Sequence, residues 1–293
     1  AGYYFGMPSV TEYILIKGGP LDNSRTQYKN ISDSQGDFKA NYANIFDAPA
    51  DRETNLKFIP SSGSTIEMWL KVDSLIPRGT DGGSDRMTLF DLWNGVTGSS
   101  ADYCRYEIFI HNDGTGSNAA FGIHCVSGTV GTSPGDLDSF VGFNAASASA
   151  GNEGLFTNYT KDSLADGDWH HYAFVVQNDS TDLRATLYVD GKRNQEITKT
   201  NGALGKFYGT NSDGAMLATI GANVAYPDYL QDFGTAAAAL GRGLNKFSGS
   251  IDEFRYWKTA RTPKQIGLNW FTPVNGGTNH RDEKEDLGVY YKF

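Results

Sequence analysis

Residues 166–192, DGDWHHYAFVVQNDSTDLRATLYVDGK, carry the strongest fold signal in the chain. They contain two runs of alternating side chains, DWHHYAFVVQ and LRATLYV, around the turn-forming NDSTD, which predicts an antiparallel hairpin. The second run leads into VDGK, a predicted tight turn in which Gly191 takes a positive φ and Asp190 bonds the turn backbone. Because neighbouring side chains of a strand point to opposite faces, we expect His170 and His171 to be one solvated and one hydrogen-bonded histidine rather than a metal pair.

Similar strand patterns recur on both sides of this hairpin. In STIEMWLKVDS, for example, Ile66, Met68 and Leu70 alternate with charged or aromatic neighbours. The other candidates are EYILIKGG, ANIFDAP, NLKFIP, MTLFDLWNG, MLATIGA, IDEFRYW and LGVYYKF. The 35 glycines and 13% of aromatic residues suit strands joined by turns. The predicted fold is all-β, with one short C-terminal helix that starts at Thr262 as N-cap and Pro263.

The pair Cys104 and Cys125 flanks a second predicted hairpin, CRYEIFIHNDGTGSNAAFGIHC. A turn centred near Gly114 and Thr115 would place the two cysteines opposite each other, within reach of a cross-strand disulfide. Such a bond would stabilise the fold by about 3 kcal/mol in an oxidising compartment. Two reduced core cysteines are the alternative, and the sequence leaves this choice open.

Charge and hydropathy exclude some classes of partner. The formal net charge is −9, from 25 basic and 34 acidic residues, and no basic cluster is present, so nucleic acid is not an expected partner. No stretch reaches the roughly 18 apolar residues of a membrane span, so no membrane partner is expected. The start, AGYYFGMPSV, lacks signal-peptide features, and the chain stops just after the strand-like DLGVYYKF. Either a leader has been removed or the chain is a segment of a larger protein, and this ending favours the second.

The adjacent carboxylates Asp252 and Glu253 stand at the start of IDEFRYW and allow three interpretations. They could be a catalytic pair, half of a metal site, or polar residues at a strand end. A retaining β-glycosidase needs two carboxyl groups about 5–5.5 Å apart. Adjacent strand residues diverge, one inward and one to solvent, and Glu67 is alone in its strand. The sequence therefore predicts no enzyme.

Four segments in order carry a family resemblance. They are DGDWHHYAFVVQNDSTDLRATLYVDGK, MLATIGA, FSGSIDEFRYWKTARTPKQI and the opening NIFDAPADRETNLKFIPSSGSTIEMWLKVDS. Together they resemble laminin-G-like domains of the concanavalin A-like lectin/glucanase superfamily. The resemblance spans residues 44–266 and implies a two-sheet antiparallel jelly-roll sandwich. Strand patterning resumes after the Gly/Ser/Ala-rich residues 127–153 and after residues 223–246, so we expect residues 1–293 to form a single domain, completed by N- and C-terminal strands.

The resemblance also implies a calcium site at the edge of the sandwich. The positions that correspond to such ligands are Asp252 together with Asp47 and Asp51 of the FDAPAD loop. Calcium takes 6–8 oxygen ligands, and loop carboxylates commonly supply several of them. This loop differs from the usual Phe-Asp-Gly-x-Asp-Asp motif of the family, because Pro49 lies within it. The alternative is that Asp252 caps backbone amides at the junction.

A binding role is the expected function, with a glycan or cell-surface receptor as partner. The loop NVAYPDYLQDF offers the aromatic and acidic residues of a sugar site, namely Tyr226, Asp228, Tyr229, Asp232 and Phe233. These aromatics could instead pin the loop to the sandwich. The ending also resembles laminin-G-like domains of very large virion proteins of marine bacteriophages, which implies an extracellular or virion-surface location. A structural or decoration module that packs against virion proteins is the alternative, and a glycoside hydrolase is the third.

Overall fold

The structure is a computed structural model that describes residues 5–7, 14–17, 55–75, 86–93, 104–111, 118–127, 154–205, 216–223, 246–274 and 286–293. Most of these residues lie in β-strands. In chain order the strands are β1 (Phe5–Met7), β2 (Ile14–Lys17), β3 (Ser64–Lys71), β4 (Arg86–Trp93), β5 (Cys104–His111), β6 (Ala119–Ser127), β7 (Leu155–Thr160), β8 (Trp169–Asp179), β9 (Asp182–Val189), β10 (Lys192–Lys199), β11 (Leu217–Ile220), β12 (Gly249–Trp257) and β13 (Leu287–Tyr291). The helices are α1 (Lys161–Leu164) and α2 (Pro263–Asn269).

The strands form two antiparallel sheets. The seven-stranded sheet has the order β1-β12-β3-β8-β9-β10, and β13 also pairs with β12. The six-stranded sheet has the order β2-β11-β4-β5-β6-β7. This architecture confirms the predicted all-β, two-sheet antiparallel sandwich. Within the described ranges, neither helix has the length and apolarity that crossing a membrane requires.

The core lies between the two sheets and follows the predicted alternation. In β3, Ile66, Met68 and Leu70 are buried in the main apolar cluster, whereas Trp69 lies on the outer face and is only partly buried. Two positions depart from a simple inside–outside pattern, because Thr65 and Glu67 on the outer face are both fully buried. A buried carboxylate requires charged or hydrogen-bonding partners, and these belong to the candidate site below.

The hairpin of residues 166–192 forms as predicted. Strands β8 and β9 pair from Tyr172 with Val189 to Asp179 with Asp182. Gly191 has φ of 73°, and an added Cβ there would lie 2.3 Å from the Trp270 ring, so two separate constraints require glycine. Asp190 Oδ1 accepts the His171 backbone N–H at 2.9 Å. Its carboxylate therefore ties the turn back to β8, as expected.

Helix α2 begins at the predicted cap. The Thr262 side chain accepts the Gln265 backbone N–H at 3.2 Å, and the Gln265 side chain accepts the Thr262 backbone N–H at 2.8 Å. This reciprocal capping box satisfies amides that the first helical turn leaves unbonded. Pro263 follows at the first helical position, where its missing N–H costs nothing.

The cysteine hairpin forms with a different register. Cys104 and Cys125 lie on the neighbouring antiparallel strands β5 and β6, but Cys104 is opposite Ser127 and Tyr106 is opposite Cys125. The prediction of neighbouring antiparallel strands is confirmed, but the cysteines are diagonal neighbours rather than directly opposite, because the observed register is shifted by two residues from the symmetric one. Diagonal neighbours lie about 7–8 Å apart, near the limit of about 7 Å for a disulfide. The two cysteines are buried in the core and form no disulfide.

Candidate functional site

The outer face of the seven-stranded sheet contains an open depression of about 390 Å³ beside α2. Strands β3, β8 and β12 form its floor, and the residues after α2 form one wall. Its lining combines aromatic rings with charged groups from these separate parts of the chain. The lining residues are Trp69, Trp169, Asp252, Glu253, Arg255, Phe271, Thr272, Pro273 and Lys292.

A β-bulge in β12 brings both adjacent carboxylates to this face. Asp252 pairs with Trp69 and Arg255 pairs with Glu67, so two residues of β12 oppose one residue of β3. Glu253 has φ of 51°, the left-handed conformation that such an extra residue can adopt. The expectation that Asp252 and Glu253 diverge, one inward and one outward, is therefore wrong. It assumed a regular strand, and the bulge removes the alternation at this point.

The Glu253 carboxylate is held by three partners. Its Oε2 accepts hydrogen bonds from Arg255 Nη2 at 3.1 Å and from the Tyr290 hydroxyl. Its Oε1 lies 3.6 Å from Lys292 Nζ. Burial, together with the hydrogen bond to Glu253 and its negative charge, raises the pKa of Tyr290 to about 12, so the hydroxyl stays protonated as the donor.

Beneath the depression, the buried Glu67 carboxylate joins two arginines. Its Oε2 lies 3.3 Å from Arg255 Nη1, and its Oε1 accepts from Arg261 Nη1 at 3.0 Å. His171 Nε2 lies 3.6 Å from Oε2. Burial raises the pKa of Glu67, but His171 and the two arginines outweigh it and lower the pKa below its usual value. Glu67 is therefore an ionised anchor for the arginines rather than a proton donor.

Arg255 also forms hydrogen bonds with the wall of the depression. Besides Glu67 and Glu253, its guanidinium donates to the carbonyl oxygens of Asn269 at 3.3 Å and Thr272 at 2.6 Å. These carbonyls belong to the last turn of α2 and the residues that follow it. A planar guanidinium with several fixed donors can satisfy such a set of acceptors at once. The position of the wall relative to the sheet therefore depends on Arg255.

The aromatic side of the depression is built by packing between elements. The Trp69 ring lies 5.6 Å from the Trp270 ring and 5.8 Å from the His171 ring. Trp270 also lies 5.5 Å from Phe271, whose ring is 61% exposed. The Trp270 ring thus supports two of the aromatic side chains that line the depression.

Asp252 occupies the edge of the depression. Its Oδ1 accepts the backbone N–H of Glu253 at 2.7 Å and that of Phe293 at 3.2 Å. This geometry matches the alternative role of capping backbone amides. The other two predicted calcium ligands, Asp47 and Asp51, lie outside the described residues. Among the described residues, no group of three His, Cys, Asp or Glu side chains could hold a metal ion. The calcium site stays a prediction that needs Asp47 and Asp51.

The two adjacent histidines of β8 have different surroundings. His170 is partly exposed and bridges two carboxylates, with Nδ1 2.8 Å from Asp190 and Nε2 3.0 Å from Asp166. His171 is buried beside Glu67 on the outer face. His170 therefore contacts the turn that joins β9 and β10, whereas His171 is buried against Glu67 and against Trp69, which lines the depression.

The six-stranded sheet carries a buried polar row that sequence analysis missed. Thr219, Asp91, Glu107 and His124 are in register across β11, β4, β5 and β6. Asp91 and Glu107 are thus directly opposite carboxylates on neighbouring strands. Each is at most 1% exposed. The signal that could have found them is the alternation of Arg105 and Glu107 with apolar residues in CRYEIFIH.

Hydrogen bonds to neighbouring side chains occupy this row. Arg105 donates to both oxygens of Asp91 at 2.7 Å, and Glu107 Oε1 accepts from Thr88 at 2.7 Å and from Asn223 at 3.1 Å. Burial raises the pKa of Asp91 to about 6 against the lowering effect of Arg105. Because these groups are buried and mutually bonded, we assign them to the packing of the sheet rather than to ligand contact.

The sequence-predicted ligand residues and the depression do not coincide. Tyr226, Asp228, Tyr229, Asp232 and Phe233 lie outside the described residues, so their role stays a prediction. Of the predicted site residues, the structure places Asp252 in the depression. Sequence reasoning did not assign Trp69, Trp169, Arg255 or Phe271 to a site, because they come from three strands and a post-helical segment far apart in the chain.

Three solved structures resemble the chain at low identity. A protein from Bacteroides ovatus ATCC 8483, provisionally described as carbohydrate binding, is 18% identical with a TM-score of 0.34, and the match covers 80% of this chain and 47% of that one. The heptameric SAP-like pentraxin of Limulus polyphemus is 11% identical with a TM-score of 0.38, and the match covers 90% of this chain and 86% of that one. The CBM40 of the Ruminococcus gnavus IT-sialidase is 12% identical with a TM-score of 0.39, and the match covers 71% of this chain and 83% of that one. These distant similarities assign no ligand to this chain, which spans about half of the Bacteroides protein.

Family membership follows from a closer match. No significant match is found among curated proteins. A laminin-G family model, described as concanavalin A-like lectin/glucanases superfamily, matches residues 46–267, which is most of the chain. The resemblance that the four sequence segments carry is therefore confirmed. The chain belongs to the laminin-G-like domains of the concanavalin A-like lectin/glucanase superfamily.

Proposed function

We propose that this domain is a non-catalytic carbohydrate-binding module and that the depression beside α2 is its binding site. The observation that supports this function best is the combination of aromatic rings with the Asp252 carboxylate in one open depression of about 390 Å³. Small-molecule sites in proteins commonly occupy about 300–1,000 Å³ and combine an apolar lining with a few fixed polar groups. The depression has both properties.

The lining suits the two kinds of surface on a sugar ring. A pyranose presents C–H groups on its faces and hydroxyl groups around its edge. Trp69, Trp169 and Phe271 offer apolar ring surface, while Asp252 offers a carboxylate acceptor for hydroxyl donors. The depression is also preformed, because Arg255 and Trp270 hold its wall against the sheet that forms its floor. A preformed site loses less conformational entropy when a ligand binds.

The non-catalytic part of the proposal follows from the partners of the carboxylates. Glu253 is bonded to Arg255 and Tyr290, and Glu67 beneath it is bonded to Arg261. Asp252 holds two backbone amides through one oxygen. Acid–base catalysis needs a carboxylic acid that can give its proton to the leaving group, and these fixed ionic contacts oppose that role. We expect no release of reducing sugar from β-glucans, laminarin or agarose. Release that Asp252→Asn abolishes would contradict the proposal.

Phe271→Ala tests the site itself. Because the Phe271 side chain is 61% exposed, its removal should leave the fold intact and weaken glycan binding at least tenfold. Leu268→Ala is a matched control, since Leu268 is 59% exposed on the same segment and does not line the depression. Binding would be found on a glycan array and quantified by isothermal titration calorimetry. Equal affinities of Phe271→Ala and the parent protein would exclude the depression as the site.

Exposure of Leu268 together with Phe271 also favours a second candidate function, packing against a partner protein. In that case both alanine variants should weaken association with the partner, and no glycan should compete. The placement of the domain in a larger extracellular or virion-surface protein, and a receptor or virion protein as partner, stay predictions from sequence resemblance.

A further inference from the structure

We infer that the depression selects uncharged pyranosides over glycans that carry carboxylate or sulfate groups. This inference rests on the proposed carbohydrate-binding function and concerns the charge of the ligand. The basis is that both cations that line the depression, Arg255 and Lys292, already face protein carboxylates.

The central cation of the depression is closed to a ligand. The Arg255 side chain is 2% exposed. Its Nη1 faces Glu67 and the Asn269 carbonyl, and its Nη2 faces Glu253 and the Thr272 carbonyl. A ligand carboxylate normally relies on the paired N–H groups of such a guanidinium. To reach these groups here, it would have to displace a protein carboxylate that is already bonded to them.

Two lysines near the rim are also paired with carboxylates. Lys292 Nζ lies 3.6 Å from Glu253 Oε1. Lys71 pairs in register with Trp169, and its Nζ lies 4.0 Å from Asp73 Oδ1. Exposed pairs of this kind attract weakly, and salt screens them. An anionic ligand that paired with either lysine would have to replace this existing carboxylate partner. The net gain in binding free energy would therefore be small.

Asp252, which lines the depression, supplies the acceptor for a ligand through its second carboxylate oxygen. Its Oδ1 is occupied by two backbone amides, and among the described residues none donates a hydrogen bond to Oδ2. A carboxylate oxygen accepts hydroxyl donors, and its charge repels another anion a few ångströms away. The group that binds a sugar hydroxyl is thus the same group that rejects an acidic sugar.

Charge counting over the cluster gives the same result. The carboxylates of Asp252, Glu253 and Glu67 are balanced by Arg255, Arg261 and Lys292, so the site has no excess positive charge. The uncharged lining consists of Thr272, Pro273 and three aromatic side chains, whose ring faces are the electron-rich side of the aromatic quadrupole. This surface suits the C–H face of a neutral pyranose and offers nothing to a carboxylate or sulfate.

A glycan array with matched pairs tests the inference. Each neutral glycan is printed beside the same backbone with sialic acid, uronic acid or sulfate, and binding is measured in EDTA at low salt so that no bound cation offsets Asp252. We expect the neutral members to bind at least tenfold more tightly, with the difference shrinking as salt is added. Tighter binding of the acidic members through a Phe271-dependent site would overturn the inference and leave the proposed function standing. Absence of binding to every glycan, both in EDTA and with added calcium, would overturn both.

Asp252→Asn provides a second, independent readout. The amide keeps an oxygen for the two backbone N–H groups and removes the charge. The ratio of neutral to acidic binding should fall about tenfold, while the melting temperature stays within a few degrees of the parent. Asp162→Asn is the control, because it removes one exposed charge from α1, outside the depression. An unchanged ratio in Asp252→Asn would show that Asp252 does not set the charge preference.

Discussion

His170 is a single residue whose ionisation links the β9–β10 turn to β8. Burial lowers its pKa, but the hydrogen bonds and charges of Asp190 and Asp166 outweigh burial and raise the pKa above the usual value. A histidine with a raised folded-state pKa stabilises the fold fully below its unfolded pKa of about 6.5. That stabilisation is lost as the pH rises through the folded-state pKa.

We therefore expect part of the thermal stability to disappear as the pH rises from about 6.5, the unfolded pKa, through the raised folded-state pKa. His170→Gln should flatten this part of the profile of melting temperature against pH. Asp166→Asn, which removes one of the two carboxylate partners, should give an intermediate slope. Thermal melts at intervals of half a pH unit measure the effect. A parent-like slope in His170→Gln would assign the pH dependence to other groups.

Asp252 carries the calcium prediction at the level of single residues. If Asp252, Asp47 and Asp51 bind calcium, the ion adds about 2.7 kcal/mol at a hundredfold excess over its Kd. EDTA should lower the melting temperature, calcium should restore it, and Asp252→Ala, Asp47→Ala and Asp51→Ala should each abolish the difference. Glu253→Gln should keep it, because the Glu253 carboxylate is already occupied by Arg255 and Tyr290. A parent protein whose melt ignores EDTA would leave Asp252 as a backbone cap alone.

Among the elements, α2 and the β9–β10 turn meet at two glycines with opposite requirements. Gly191 has φ of 73°, and a Cβ there would meet the Trp270 ring at 2.3 Å. Gly267 lies inside α2, where an added Cβ would have its nearest contact, the Gly191 carbonyl oxygen, at 3.4 Å. The same substitution should therefore change stability in opposite directions at the two sites.

Gly191→Ala should destabilise the fold by at least about 1–2 kcal/mol, because it combines a positive φ with a steric clash. Gly267→Ala should stabilise it by about 0.5–1 kcal/mol, because alanine favours the helix interior. Urea denaturation followed by tryptophan fluorescence measures both. Displacement of Trp270 in Gly191→Ala should also weaken glycan binding. Equal effects of the two substitutions would show that the contact with Trp270 does not constrain the turn.

The bulge in β12 and the register of the cysteine hairpin are two features of strands that sequence periodicity did not predict. Periodicity locates IDEFRYW as a strand, but the left-handed Glu253 interrupts the alternation. Likewise, the hairpin of β5 and β6 is visible in the sequence, yet its register differs by two residues from the symmetric estimate. A register depends on the conformation of the connection and on which face must be buried, and residue types alone do not fix either.

Across the sandwich, the strand pattern and the helix cap were predictable because they depend on neighbouring residues. The alternation of Ile66, Met68 and Leu70 needs only the geometry of an extended chain, and the cap at Thr262 needs only the next three residues. The family segments likewise preserve local patterns of turns and strands. The depression was not predictable in this way, since β3, β8, β12 and the segment after α2 each supply part of it.

The sequence alone therefore determined the fold class, the β8–β9 hairpin, the short helix and the family, because each of these is written in local patterns that repeat or occur in order. Only the tertiary structure decided which polar groups share one face. Arg261 bonds Glu67 across 194 positions, and Phe293 bonds Asp252 across 41. Such contacts depend on which strands pair and on where a bulge turns a side chain. The physical reason is that buried charged and polar groups need hydrogen-bond partners within about 3 Å, and the folded chain can supply these partners from any separation in sequence.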